Sequence, residues 1–250
     1  ISEAGGTSNL TATLSTASGR DVTVGLVMQG TAGSKDFTVG GNEIDVSEIL
    51  TEGLVANYTF SGNANDGTSN ENNGTVSGAT LTTDRFGEES SAYYFDGDGD
   101  YISVPFSESL QIEDDITMSM WIYHEDAPEY TTYQIHAPNS YYSIYSYERN
   151  NGSSFSPHFR AAGWNDEGTN ELDNGEWKML TLVASTSTVS GDTSSSKSRK
   201  YQWYVDGQLT SSHNNPYDYG NNVPTSGTLY IGASSPSGSE FKGKLDEVMI

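Results

Sequence analysis

Cysteine is absent from this chain. That excludes disulfide staples, thiolate metal ligands and thiol nucleophiles. Basic residues are scarce too: 11 Lys and Arg stand against 34 Asp and Glu in 250 residues, a formal net charge of -23. A surface of that sign repels phosphate backbones and anionic lipids, which argues against nucleic-acid and membrane-surface roles. No apolar run approaches the roughly 18 residues of a membrane helix, so no membrane insertion is expected. Helical periodicity is nearly missing, with no window of about 11 residues showing an i, i+3, i+4, i+7 apolar face. Catalytic spacings are missing as well. His124, His136, His158 and His213 form no HExxH-like pattern, there is no GxSxG elbow, and no glycine-rich segment ends in the P-loop Lys-Ser/Thr. The chain starts at Ile1 and stops at Ile250 inside a strand-like run, so it reads as a piece of a longer, processed polypeptide.

What is present is strand after strand. Runs rich in Thr, Tyr, Val and Ile span Val55–Phe60, Ala92–Phe95, Tyr101–Val104, Ile116–Tyr123, Tyr142–Tyr147, Trp177–Ala184, Tyr201–Val205 and Leu245–Ile250, separated by Gly, Asn, Asp and Ser. Asp206–Gly207 between two such runs signals a hairpin, because both turn residues must tolerate positive φ. The fold class is all-β, an antiparallel β-sandwich. Alternation along WIY and WKMLTLV, with the runs around Phe95 and Val104, gives Trp121, Trp177, Leu180, Leu182, Phe95 and Val104 as expected core residues. A boundary falls near Asp45–Thr51: no Tyr or Trp precedes it, and aromatics are dense after it. This divides the chain into residues 1–48 and 49–250.

Three groups of residues bear on chemistry. The run Asn63, Asn65, Asp66, Ser69, Asn70, Asn72 and Asn73 supplies the hard oxygens that Ca²⁺ prefers, or else forms a solvated Asn/Gly turn. Asp96, Asp98 and Asp100 in FDGDGDY mimic an EF-hand opening. Tyr101 stands where that loop needs Gly, and Ser107 where it needs Glu, so a hairpin joining Tyr93–Phe95 to Tyr101–Val104 is expected instead. Glu171, Asp173 and Glu176 resemble the paired carboxylates of retaining glycoside hydrolysis. Asn174–Gly175 interrupts them with a turn signal, which breaks the geometry that chemistry needs.

The order and spacing of GLVANYTFSGNANDGTSNENNGTVSGA, YYFDGDGDYISVP, ITMSMWIY, GEWKMLTLVAS, YVDGQL and FKGKLDEVMI resemble the laminin G-like, concanavalin A-like jelly-roll domains of bacterial surface proteins, from about Ile49 to Ile250. The opening segment, with DVTVGLVM and GTAGSKDFTV, resembles part of a Calx-beta-type sandwich. The first resemblance implies a concanavalin A-like jelly roll preceded by a short β segment. It also implies a structural calcium held by Asn63, Asn65, Asp66, Asn72 and Asn73 together with Asp246 of the last strand. A lectin-like module would bind in a loop-lined site with aromatic faces and amides. HAPNSYY, AGWNDEGTN and SSHNNPYDYGNN qualify, and Trp164, Asn165, Asp166, Asn214, Tyr217, Asp218 and Tyr219 are the expected ligand-binding residues. The expectation is a non-catalytic, calcium-stabilised module of a secreted or cell-surface protein, binding a glycan or a surface protein. A structural spacer or assembly unit, packed on neighbouring domains or copies, is the alternative, and a glycan-cleaving enzyme the third.

Overall fold

The structure, a computed structural model, describes residues 53–112, 115–126, 131–149, 154–161, 164–167, 172–188, 197–215 and 224–250. The chain forms two compact units, Ile1–Glu52 and Gly53–Ile250. Residues 1–48, expected to be a Calx-beta-like segment, lie outside the described residues.

The second unit is two antiparallel sheets, each of eight strands. Sheet I contains β1 (Asn57–Tyr58), β3 (Thr80–Thr82), β4 (Ala92–Asp96), β6 (Ile116–His124), β12 (Trp177–Thr188), β13 (Lys197–Val205), β14 (Gln208–Asn215) and β16 (Lys242–Met249). Its order is β14-β13-β12-β6-β16-β4-β3, with β1 also paired to β16. Sheet II contains β2 (Thr75–Ser77), β5 (Tyr101–Pro105), β7 (Thr131–His136), β8 (Tyr142–Arg149), β9 (Ser154–Ala161), β10 (Trp164–Glu167), β11 (Leu172–Asp173) and β15 (Thr228–Ile231). Its order is β10-β9-β8-β7-β15-β5-β2, with β11 paired to β9.

Period-two alternation builds the core between the sheets. Met118, Met120 and Ile122 on β6, Leu180 and Leu182 on β12, and Tyr201 and Trp203 on β13 point inward from sheet I. Ile102, Val104, Ile144, Phe155, Phe159, Leu229 and Ile231 meet them from sheet II. Phe95, Val104, Leu180 and Leu182 are fully buried as expected. Trp121 and Trp177 are not. Both are only half-buried, on the outer face of sheet I, where Trp121 lies opposite Met179 and Trp177 opposite Tyr123. Strand parity is the reason: Met120 and Ile122 point in, so Trp121 between them points out, and Trp177 is out of phase with Leu180 and Leu182. Among the tryptophans whose burial is described, Trp203 is the fully buried one instead.

Two turns illustrate local chemistry. Asp206 and Gly207 have φ of 49° and 75°, and they join β13 to β14 as the hairpin expected of Asp-Gly. The Asp96–Asp100 segment is not a hairpin turn. It carries the chain from β4 in sheet I to β5 in sheet II, and each strand pairs with other neighbours. Gly97 and Gly99 take φ of 83° and 80°, while Asp96 Oδ1 accepts from Asp98 N–H and Asp100 Oδ2 accepts from Asp96 N–H. The same residues that suit a hairpin therefore make a bend between layers.

The two ends of this unit meet. Val55 and Ala56 N–H donate to the Ile250 carbonyl at 2.8 and 3.1 Å, and Ile250 N–H donates to Ala56 O at 3.0 Å. β1 continues this contact, with Asn57 opposite Met249 and Tyr58 opposite Val248.

Candidate functional site

The Asn63–Asn73 loop is organised around the buried carboxylate of Asp66. Its Oδ1 accepts from the N–H groups of Asn57 and Thr68, both at 2.9 Å. Its Oδ2 accepts from Asn72 N–H at 2.9 Å and from the Thr68 hydroxyl at 2.8 Å. The neighbouring oxygens are also engaged by donors. Asn73 Oδ1 accepts from Asp66 N–H, Asn63 Oδ1 accepts from Asn65 N–H, and Asn72 Oδ1 accepts from the Ser107 hydroxyl. A calcium cage presents lone pairs to a common centre. Here N–H and O–H groups converge on the carboxylate, so the residues as arranged do not fit that ion.

Asp246 is not brought to this loop. It is buried on the outer side of β16, where Arg85 Nη1 pairs with its Oδ2 at 2.5 Å and Arg85 Nη2 with Glu247 Oε2 at 3.0 Å. The guanidinium also lies over the rings of Trp121 and Phe86, 4.5 and 4.3 Å from their centroids. Burial, reinforced by Glu247, pushes the Asp246 carboxyl up to about 7, against the pull of Arg85. An arginine thus does for Asp246 what a cation was expected to do. Among the described residues, no group of three or more His, Asp or Glu is placed to hold a metal ion.

The most distinctive chemistry lies on the outer face of sheet II. Register sets Tyr133 on β7 opposite Tyr145 on β8, and Tyr145 opposite His158 on β9. The rings follow: Tyr133 and Tyr145 stack at 5.2 Å, Tyr145 and His158 at 5.3 Å, and Tyr147 stands edge-on to His158 at 4.5 Å. Beside this aromatic row runs a polar one, with His136, Ser143 and Arg160 opposite one another on the same three strands. Ser143 Oγ and His136 Nδ1 are 3.0 Å apart. Tyr230 on β15 lies opposite His136, and its ring meets that of Tyr101 at 5.6 Å. Tyr145 and His158 are buried, whereas Tyr101, Tyr133, His136, Tyr147, Arg160 and Tyr230 remain half-exposed.

Burial, with the nearby Arg160 charge, lowers the His136 imidazole to about 4, so it is neutral at pH 7. Burial, with Tyr147 alongside, raises the Tyr145 phenol above its ordinary value. Half-exposed rings next to hydrogen-bonding groups suit a ligand with a ring face and hydroxyls.

The expected ligand residues fall elsewhere. β10 forms an edge of sheet II, with the Trp164 backbone opposite Ala161, Asn165 opposite Arg160 and Asp166 opposite Phe159; their side chains lie outside the described residues. Asn214 is exposed on β14 at an edge of sheet I, opposite Lys200. Tyr217, Asp218 and Tyr219 lie outside the described residues. Of the carboxylate lookalike, Asp173 ends β11 opposite Ser154, and Gly175 turns at φ 83°. Glu176 is exposed and paired with Lys178 at 2.8 Å, and Glu171 lies outside the described residues. Sequence reading reached His136 through HAPNSYY but missed Tyr133, Tyr145, Tyr147, His158 and Arg160. Their signal was the polar-aromatic alternation of YSIYSYE and of the His158–Arg160 pair, which carries meaning only once the strands are set in register.

Residues 96–250 match the family model Laminin_G_3, the concanavalin A-like lectin/glucanases superfamily. The chain belongs to this family. The match starts at Asp96, beyond the Asn63–Asn73 loop. Among solved structures, domain 4 of AbnA, a GH43 extracellular arabinanase from Geobacillus stearothermophilus, in complex with arabinotriose, is similar at 17% identity and a TM-score of 0.53, covering 78% of this chain and 90% of that one. A structure of botulinum neurotoxin type C, described by its interaction with two ganglioside molecules, is similar at 11% identity and a TM-score of 0.54, covering 81% of this chain and 48% of that one. The chain thus spans about half of that toxin chain. No curated protein matches the sequence. The two-sheet antiparallel concanavalin A-like sandwich is the fold these likenesses share.

Proposed function

We propose that the Gly53–Ile250 unit is a non-catalytic glycan-recognition module of a secreted or cell-surface protein, serving adhesion. The observation that carries this reading is the outer face of sheet II, where Tyr133 and Tyr147 flank buried Tyr145 and His158 beside the His136–Ser143–Arg160 row. A pyranose ring stacks on the half-exposed tyrosines, and its hydroxyls bond the polar row. The fold supports it at a coarser level, since the arabinanase domain is described with arabinotriose and the neurotoxin with gangliosides. Non-catalytic is the better reading because Asp173 and Glu176 are separated by a turn, and Glu176 is held by Lys178.

In this mechanism the hydrogen bonds around Asp66, rather than a cation, hold its loop. The test is a glycan array followed by titration of the best sugar. Binding is expected, and Tyr133→Ala or Tyr147→Ala should weaken it about tenfold, the scale of losing a stacked ring with its burial. Silence on every glycan, or binding untouched by both substitutions, overturns the reading.

A further inference from the structure

We propose that this face selects an oligosaccharide bearing a single carboxylate, and that Arg160 is the residue that selects it. The inference rests on the glycan reading above and names its ligand class.

Basic residues are few here, and two of them are held by acids. Arg85 is held by Asp246 and Glu247, and Lys178 by Glu176. Arg160 has no acidic partner among the described residues, and its buried Nε has no hydrogen-bond acceptor. A half-buried guanidinium with no acid beside it among the described residues is costly, and a bound carboxylate would offset that cost. Its planar fork of donors matches a carboxylate bidentately.

The surroundings fix where that carboxylate sits. Arg160 closes the polar row, two residues along β9 from His158 in the aromatic row. Two residues of strand separate the rows by about 7 Å, and neighbouring strands stand about 4.8 Å apart. A sugar ring over the Tyr133–Tyr145–His158 row, two residues along the strands from the polar row, therefore reaches Arg160 with a substituent carboxylate. His136, kept neutral, adds no second cation to the site. One cation suits one carboxylate. The remaining charge of the chain repels a polyanion that extends past the roughly 8 Å Debye length at physiological salt.

The two common sources of such a group are a terminal uronic acid and a terminal sialic acid, and the experiment separates them. The whole chain is titrated with a uronyl-terminated oligosaccharide, a sialyl-terminated one, the neutral counterpart of each, and polygalacturonate. At least one carboxylated sugar is expected to bind about tenfold tighter than its neutral counterpart, the scale of a charge-assisted hydrogen bond, and to outbind polygalacturonate per site. Arg160→Gln should erase that preference with an unchanged melting temperature, lowering the affinity for the carboxylated sugar to that for its neutral counterpart. Arg160→Lys should retain part of it. Tyr147→Ala should weaken both sugars alike. Equal affinity for charged and neutral sugars, or a preference that survives Arg160→Gln, removes this inference and leaves the glycan reading standing. Absence of binding to every sugar removes both.

Discussion

Asp66 accepts hydrogen bonds from the N–H groups of Asn57, Thr68 and Asn72 and from the Thr68 hydroxyl, so one buried carboxylate fixes a loop otherwise made of polar, turn-forming residues. Asp66→Ala leaves those donors without an acceptor and should cost about 3 kcal/mol or more in urea unfolding, at about 1–3 kcal/mol for each buried group left unmet. The same measurement on the unaltered protein in excess chelator should give an unchanged curve, and a fall of several degrees in melting temperature would mean that a cation holds this unit. His124 poses the opposite problem. Fully buried between Phe155 at 4.3 Å and Phe241 at 5.3 Å, its imidazole is lowered by burial to about 4. The unfolded chain takes up that proton near 6.5, so the stability contributed by neutral His124 is complete above pH 6.5 and is lost as pH falls towards 4. His136, lowered in the same way, adds to that loss. Asp246, raised to about 7, acts in the other direction: its contribution is complete below the ordinary carboxyl value and is lost as pH rises towards 7. His124→Phe isolates one term. The stability gap between the unaltered protein and this variant should shrink by on the order of 3 kcal/mol between pH 7 and pH 4. A constant gap would mean that the ring is not held neutral by burial.

The connection between β3 and β4 behaves as a latch on sheet I. Asp84 Oδ1 accepts from Phe86 and Glu88 N–H, and the turn so made presents Arg85 to Asp246, Glu247 and Trp121. Glu247 takes φ 46° at a register shift, which turns both acids of β16 toward Arg85. Arg85→Ala should cost about 3 kcal/mol at pH 8, where Asp246 is left charged and buried, and less at pH 6, where a proton replaces the arginine. Adding Asp246→Asn should recover much of the loss at pH 8, and strictly additive effects in that double-mutant cycle would refute the pairing. Turn chemistry was legible where it decides the pairing, as at Asp206–Gly207. It was not legible at Asp96–Asp100, because glycines at positive φ permit a bend without saying which sheet the next strand joins. Likewise the aromatic and polar rows draw single residues from β7, β8 and β9, and only register aligns them. The parity error at Trp121 has the same root, since a strand read one residue out of phase exchanges its faces.

At the scale of the molecule, the all-β sandwich was legible because apolar alternation and turn residues recur through most of the second unit. The unit is closed by its own ends, since β1 and the segment from Val55 pair with the final residues of β16 and with Ile250. That closure has a mechanical side. Tension applied between Gly53 and Ile250 acts across the antiparallel contact rather than along it, so it meets the bonds of Val55, Ala56 and Asn57 in succession and not together. Force spectroscopy with handles at these two positions should show early, low-force release of β1, and a single high-force rupture would contradict it. A unit built this way lengthens under load before sheet II is disturbed.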